Sequence, residues 1–105
     1  MVEIAQLHRE LVARVLEGKT AAAPELRRAA FDNADLSEPI RTLIEKVAMH
    51  AYRVTDEDVV AVGAAGLSED QIFEIVVCAA IGQASRQYAN ALAALTSAVE
   101  EKRAP

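Results

Sequence analysis

The chain contains few of the residues that disulfide-stapled, metal-binding or base-stacking proteins use. Cys78 is its single cysteine, Trp is absent, and aromatic residues make up 4% of the sequence. One cysteine forms neither an intramolecular disulfide nor a Cys-x-x-Cys redox pair. The two histidines, His8 and His50, lie too far apart for a local metal-binding motif. We therefore expect no disulfide, no metal site and no cofactor.

Basic charge is also scarce. Eleven Lys and Arg stand against sixteen Asp and Glu, giving a net charge of −5. Nucleic-acid binding needs clustered basic residues, so this balance argues against it. The first ten residues contain charges and no apolar stretch of the signal-peptide kind. Arg86 lies in the middle of the longest apolar segment, which argues against a membrane span. These observations predict a soluble protein of the reducing cytoplasm.

The most informative segment present is Ile75–Val99, twenty-five residues with one charged side chain. It is rich in Ala and free of Pro, and it follows Ser68-x-x-Gln71, the pattern of a helix-starting capping box. Leu67 and Ile72 are placed as the accompanying hydrophobic staple. A helix from there to about residue 98 is roughly 45 Å long, whereas a compact domain of this size has a radius of gyration near 13 Å. Such a helix extends beyond its own core, so we expect a second copy of the chain to cover it.

Helical periodicity recurs along the whole sequence and no strand pattern is present. We predict an all-α fold of about five helices in one domain, with a helical arm at 1–35 and a core at 36–105. The predicted helices are 2–16, ended by Gly18; 24–33, with Pro24 in the first turn; one capped by Ser37; one from Thr55 to Gly66; and the long Ala-rich C-terminal helix.

The block from Ala64 to Glu74, AAGLSEDQIFE, followed by an Ala-rich helix, resembles the carboxymuconolactone decarboxylase and alkylhydroperoxidase D-like family. The similarity covers residues 37–95. Members of this family are all-helical and usually assemble as trimers or hexamers. The resemblance therefore implies a homotrimer or homohexamer, in agreement with the argument from the long helix.

The residues that perform the chemistry of this family are replaced. Its peroxidase branch carries Cys-x-x-Cys-x-x-x-His, with the His eight residues before the Gly of that block. These three places fall on Ala51, Val54 and Asp58, and the upstream Glu of the proton relay falls near Glu38. Without a thiolate there is no nucleophile to attack a peroxide. We therefore expect no thiol peroxidase activity.

Three side chains are weighed as reactive groups. Cys78 stands in an apolar run, so burial as an inert thiol is the expected role. His50 and Asp58 are the candidates for proton transfer, as base or acid in a decarboxylase-like reaction. The alternatives are a hydrogen-bonded His at the edge of the core and an Asp that caps a helix. His8 is expected to be solvated.

Arg86 is the most conspicuous residue, because a charge in an apolar segment must be paired or exposed. One interpretation is an ion pair with Glu74, Asp58 or a neighbouring subunit's carboxylate. The other is an anchor for a small carboxylate ligand, in a pocket that Arg86 shares with other polar residues: Gln83, Gln87, Asn90, Tyr52 and His50. Gln83, Arg86 and Gln87 share one stripe of the helix with Asn90 and Ser97, and the opposite stripe is apolar: Ala84, Tyr88, Ala91, Leu95 and Val99.

Three functions remain open from the sequence. The first is a non-redox, alkylhydroperoxidase D-like homo-oligomer that binds a small molecule or serves as an accessory protein. The second is a cofactor-free lyase or isomerase of the carboxymuconolactone decarboxylase type, with Arg86 holding the substrate. The third is a structural subunit that binds another protein.

Overall fold

The computed structural model describes residues 3–17 and 21–103, and this part of the chain is all-helical, as predicted. The predicted Gly18 helix stop lies outside the described residues. A short 3₁₀ turn, Ala51–Arg53, connects the third and fourth helices. The five helices are α1, Glu3–Glu17; α2, Pro24–Asp32; α3, Ile40–Met49; α4, Asp56–Ala64; and α5, Glu69–Arg103.

Two helices begin with capping boxes; the sequence predicts the one at Ser68, and for the other helix it predicts only the start at Thr55. At the start of α5, the backbone N–H of Gln71 donates to Ser68 Oγ at 3.1 Å, and the backbone N–H of Ser68 donates to Gln71 Oε1 at 2.8 Å. At the start of α4, Thr55 Oγ1 accepts from the Asp58 N–H, and the Asp58 carboxylate accepts from the Thr55 N–H at 2.9 Å. Each box satisfies two backbone donors that the first helical turn leaves unpaired.

The start of α3 differs from its prediction. Ser37 is not the N-cap; the helix begins at Ile40, with Pro39 at the N-cap position and no capping hydrogen bond from its side chain. Glu38 supplies the acceptor instead, because its carboxylate binds both the backbone N–H of Thr42, at 2.9 Å, and the Thr42 hydroxyl, at 2.7 Å. These two bonds from Thr42 lower the pKa of Glu38.

The core lies between α5 and the other helices and is built from both predicted parts of the chain. One cluster joins Ala22 and Ala30 of the N-terminal part to Ile44, Ile75 and other buried residues. A second cluster places Leu43, Val62 and Ile72 between α3, α4 and α5. The described part of residues 1–35 therefore contributes to the same core as the rest, through Ala22 and α2.

The backbones of α2 and α5 approach most closely at Gly82. A Cβ placed on Gly82 would lie 2.7 Å from the Phe31 carbonyl carbon and 2.9 Å from the Phe31 Cα, and closer still to the Phe31 oxygen. Real Cβ atoms essentially never come within 3.0 Å of other atoms. Only glycine fits here without separating the two helices.

The long helix extends beyond the core, as its length predicts. At 35 residues, α5 is about 52 Å long, and the molecule measures 60 × 28 × 21 Å with a radius of gyration of 16.6 Å. Every residue from 87 to 103 is exposed. We call residues 87–103 the free half of α5. None of the helices that the structure describes is both long and apolar enough to cross a membrane.

Candidate functional site

Arg86 binds the end of a neighbouring helix. Its guanidinium donates to the backbone carbonyl of Phe31 at 2.7 Å and to Gln83 Oε1 at 3.0 Å. Phe31 lies in the last turn of α2, where carbonyls have no partner within the helix. A cation at a helix C-terminus also interacts favourably with the helix dipole. Arg86 therefore completes the C-terminal cap of α2.

The end of α2 explains why this carbonyl needs an outside donor. Asn33 adopts the left-handed conformation, with φ 51° and ψ 49°. The N–H groups of Asn33 and Ala34 return to the carbonyls of Ala30 and Ala29, at 3.2 and 3.1 Å. This is the Schellman pattern, which satisfies two of the last carbonyls. The Phe31 carbonyl is left for the guanidinium of Arg86.

The carboxylates expected near Arg86 bind other partners. Glu74 accepts hydrogen bonds from the backbone N–H groups of Ala21 and Ala22, at 2.9 and 2.6 Å, and so anchors the segment that enters α2. Asp58 accepts from Lys46 Nζ with both oxygens, at 2.8 and 3.1 Å. The hydrogen bond from Lys46, together with that from the Thr55 backbone, lowers the pKa of Asp58. The expected ion pair of Arg86 with either carboxylate is therefore wrong for the single chain.

His50 and Tyr52 lie together on the outer side of α3 and the 3₁₀ turn. Their rings meet edge to face with centroids 6.0 Å apart. Both are exposed, and 80% of the Tyr52 surface is open to solvent. His50 lines a shallow cleft of about 260 Å³ with Thr42, Glu45, Lys46 and Arg53. His50 is thus a surface residue at the end of α3 and not part of the core.

The residues predicted to share one site are distributed over two places. Arg86 and Gln83 are joined at the contact of α5 with α2, and His50 and Tyr52 are joined at the end of α3. Among the described residues, no hydrogen bond, ion pair or ring contact connects the two pairs. Gln87 is exposed on the free half of α5. A small carboxylate bound at Arg86 stays a prediction.

Cys78 is buried, as its apolar surroundings predict. Its exposure is 1%, and its sulfur lies 3.8 Å from the Val15 carbonyl oxygen. Burial raises the pKa of the Cys78 thiol, which disfavours the reactive thiolate. Within the described ranges, no three His, Cys, Asp or Glu side chains are grouped so that they could hold a metal ion.

An apolar groove lies between α1 and α5, and the sequence did not predict it. It encloses about 240 Å³ and is lined by Ile4, His8, Leu11, Ile81, Ala84, Ser85 and Tyr88. The lining residues lie at spacings of three and four on both helices, so each helix turns one continuous face toward the groove. That shared periodicity is the signal that could have paired α1 with α5.

His8 forms the polar part of this groove, and the prediction that it is solvated is wrong. The side chain is half-buried, and its Nε2 lies 2.9 Å from Ser85 Oγ. The Ser85 hydroxyl also donates to the Ile81 carbonyl at 2.7 Å. The rings of His8 and Tyr88 have centroids 5.4 Å apart. These contacts hold α1 against α5.

Beyond the groove, the apolar face of α5 continues without cover. Tyr88, Leu92, Leu95 and Val99 follow one another at spacings of four, three and four, which we call the α5 stripe. Their exposed fractions are 41%, 49%, 61% and 42%. On α1, Ile4 and Leu7 are 64% and 61% exposed beside the groove. A contiguous apolar surface of this extent is typical of an interaction site.

Comparisons of the chain with protein-family models, curated proteins and solved structures found no significant match.

Proposed function

We propose that this protein is a homo-oligomeric, non-redox accessory protein that acts by binding and carries out no thiol chemistry. The observation that carries the proposal is the exposed apolar face formed by α1 and the free half of α5. Exposed Leu, Ile and Tyr side chains lower the free energy of association by roughly 25 cal/mol for each Å² that a partner removes from water. The single chain gives them no such cover.

The placement of the chemical side chains supports a binding role over a catalytic one. Arg86 binds the Phe31 carbonyl, Asp58 binds Lys46 and the Thr55 backbone, and Cys78 is buried with a raised pKa. Each of these groups has a structural partner in the fold. Among the binding roles, this pattern favours the interaction subunit over a carboxylate-binding protein, because Arg86 already has an oxygen acceptor.

Sedimentation velocity of the purified chain at micromolar concentration tests the proposal. We expect a species that is a multiple of 11.3 kDa, as the resemblance to the alkylhydroperoxidase D-like family also implies. A hydroperoxide reduction assay on the same sample is expected to show no turnover. A monomer at all concentrations, or turnover that is lost in Cys78→Ala, would contradict it.

A further inference from the structure

We propose that two copies of this chain associate through antiparallel pairing of their α5 stripes, and that Val99 of each copy covers the open end of the other copy's groove. This inference rests on the proposed function, because it names the surface through which the homo-oligomer forms. It is argued from the periodicity, the neighbouring groove, the exposed area and the charges of α5.

The periodicity of the stripe is self-complementary. Spacings of four, three and four between Tyr88, Leu92, Leu95 and Val99 are those of a coiled-coil seam. The series reads the same in both directions, so an antiparallel second copy places Leu92 opposite Leu95 and Tyr88 opposite Val99. A two-fold axis between residues 93 and 94 generates both pairs, as a symmetric dimer contact requires.

The stripe continues a seam that α1 already fills in the same chain. Where α1 lies on α5, the groove residues of α1 are Ile4, His8 and Leu11, at the same spacings of four and three. His8 lies against Ser85 and Tyr88, and the described part of α1 begins at Glu3. Leu92, Leu95 and Val99 continue the line of groove residues on α5 beyond Tyr88. Tyr88 is still 41% exposed where α1 lies on α5, so a second helix that pairs with the stripe lies beside α1 at this end and not in its place.

The exposed apolar area of the stripe and of the neighbouring α1 residues together approaches that of a specific contact. The exposed fractions of the α5 stripe and of Ile4, Leu7 and Leu11 correspond to on the order of 700 Å² of side-chain surface per copy. A specific interface of standard size buries about 800 Å² per partner. The small side chains beside the stripe allow the two helices to approach closely: Ala89, Ala91 and Ala98.

Charge favours the antiparallel direction. No charged residue lies between Arg86 and Glu100, and α5 ends in two acidic residues followed by Lys102 and Arg103. A parallel pair would place the two Glu100–Glu101 segments side by side, where like charges repel. The antiparallel pair separates the two Glu100 residues by roughly 20 Å along the helices. It also leaves the two cores at opposite ends, clear of one another.

Two single-cysteine variants in a Cys78→Ser background test the direction of pairing. One carries Tyr88→Cys and the other Val99→Cys, and each is oxidised mildly, alone and after mixing. In the antiparallel pair a cysteine at 88 faces one at 99, so we expect a disulfide-linked dimer in the mixture and little in either variant alone. Efficient cross-linking of each variant alone would indicate parallel pairing and overturn the inference.

A charge-insertion pair tests the surface independently. Leu95→Glu places a carboxylate in the stripe, and Asn90→Glu places one on the opposite face of the same helix. Because residue 95 is exposed in the single chain, both variants are expected to keep the wild-type melting of the monomer at high dilution. We expect Leu95→Glu to raise the dissociation constant by at least about 100-fold and Asn90→Glu by less than about threefold.

The possible outcomes separate this inference from the proposed function. If the native chain associates but Leu95→Glu associates equally well and no cross-link forms in the mixture, another face is used. The homo-oligomer then stands and the antiparallel contact is wrong. If the native chain is monomeric at high micromolar concentration, both are wrong. A two-fold contact also requires an even number of copies, so a lone trimer would overturn it, whereas a dimer or hexamer supports it.

Discussion

Replacing Gly82 with Ala perturbs the closest contact of the fold, between α5 and α2. The added Cβ would lie 2.7 Å from the Phe31 carbonyl carbon, and ordinary contacts begin near 3.4 Å. The clashing atoms belong to the backbone, so no rotamer change relieves them. Because the Phe31 carbonyl oxygen is closer still, the two helices must separate by more than about 1 Å. This opens the packing around Ala30 and Ala79 and stretches the hydrogen bond from Arg86 to the Phe31 carbonyl.

The expected cost combines two destabilising effects and one stabilising effect. Overpacking a buried site destabilises a protein by typically about 1–3 kcal/mol, and weakening the Arg86 hydrogen bond adds roughly 1 kcal/mol. Replacing a helical Gly with Ala returns about 1 kcal/mol through helix propensity. We therefore expect Gly82→Ala to lower the free energy of unfolding by about 2 kcal/mol. Each kcal/mol corresponds to roughly 4–8 °C in the melting temperature of a domain of this size.

Chemical denaturation followed by circular dichroism measures the effect, with Gly63→Ala as the matched control. Gly63 lies within α4, and a Cβ there has no atom within 4 Å. The control gains helix propensity with no clash and should be more stable by up to about 1 kcal/mol. The two Gly→Ala changes thus have opposite predicted signs. If Gly82→Ala is as stable as the wild type or more stable, the described helix crossing is wrong.

Three further outcomes are expected. Arg86→Met should lower the free energy of unfolding by about 2 kcal/mol, because a hydrogen bond from a charged donor is lost. The control Arg28→Met removes an exposed ion pair and should change it by no more than about 0.5 kcal/mol. Equal melting temperatures of the two variants would count against the capping role of Arg86. Because the pKa of Asp58 is lowered in the folded state, the contribution of Asp58 to stability is present above about pH 4 and is lost as the pH falls through the folded pKa. Denaturation across pH 2–6 should therefore show a smaller loss of stability at acid pH for Asp58→Asn than for the wild type. An unchanged loss would refute this. Cys78 should resist thiol labelling in the native protein and react on unfolding; rapid native labelling would show that it is accessible.

The features that the sequence predicts well are local ones. The capping box of Ser68 with Gln71 and the helix start at Thr55 depend on residues within one turn, and both form as expected. The overlong α5 follows from counting residues against the size of the domain. Cys78 is buried because its neighbours on the same helix are apolar. In each of these cases the deciding interactions lie within one helix.

The features that the sequence did not predict depend on contacts between distant segments. The acceptor for Arg86 is a backbone carbonyl, which every residue has and which residue type therefore does not reveal. Whether that carbonyl is free to accept depends on how α2 ends at Asn33. His8 looks solvated on α1 alone and is half-buried only because α5 places Ser85 beside it. Glu38 replaces Ser37 as the acceptor at α3 because the helix begins later than the Ser-Glu-Pro pattern suggests.

A second copy of the chain is expected to cover the free half of α5. Sedimentation equilibrium of the wild type and Leu95→Glu, side by side across the micromolar range, tests it most directly. We expect the wild type to form an even-numbered assembly of the 11.3 kDa chain and Leu95→Glu to be shifted to the monomer. Because the stripe carries no charge, the wild-type assembly should persist at high salt. A wild-type chain that stays monomeric throughout the range would contradict the claim.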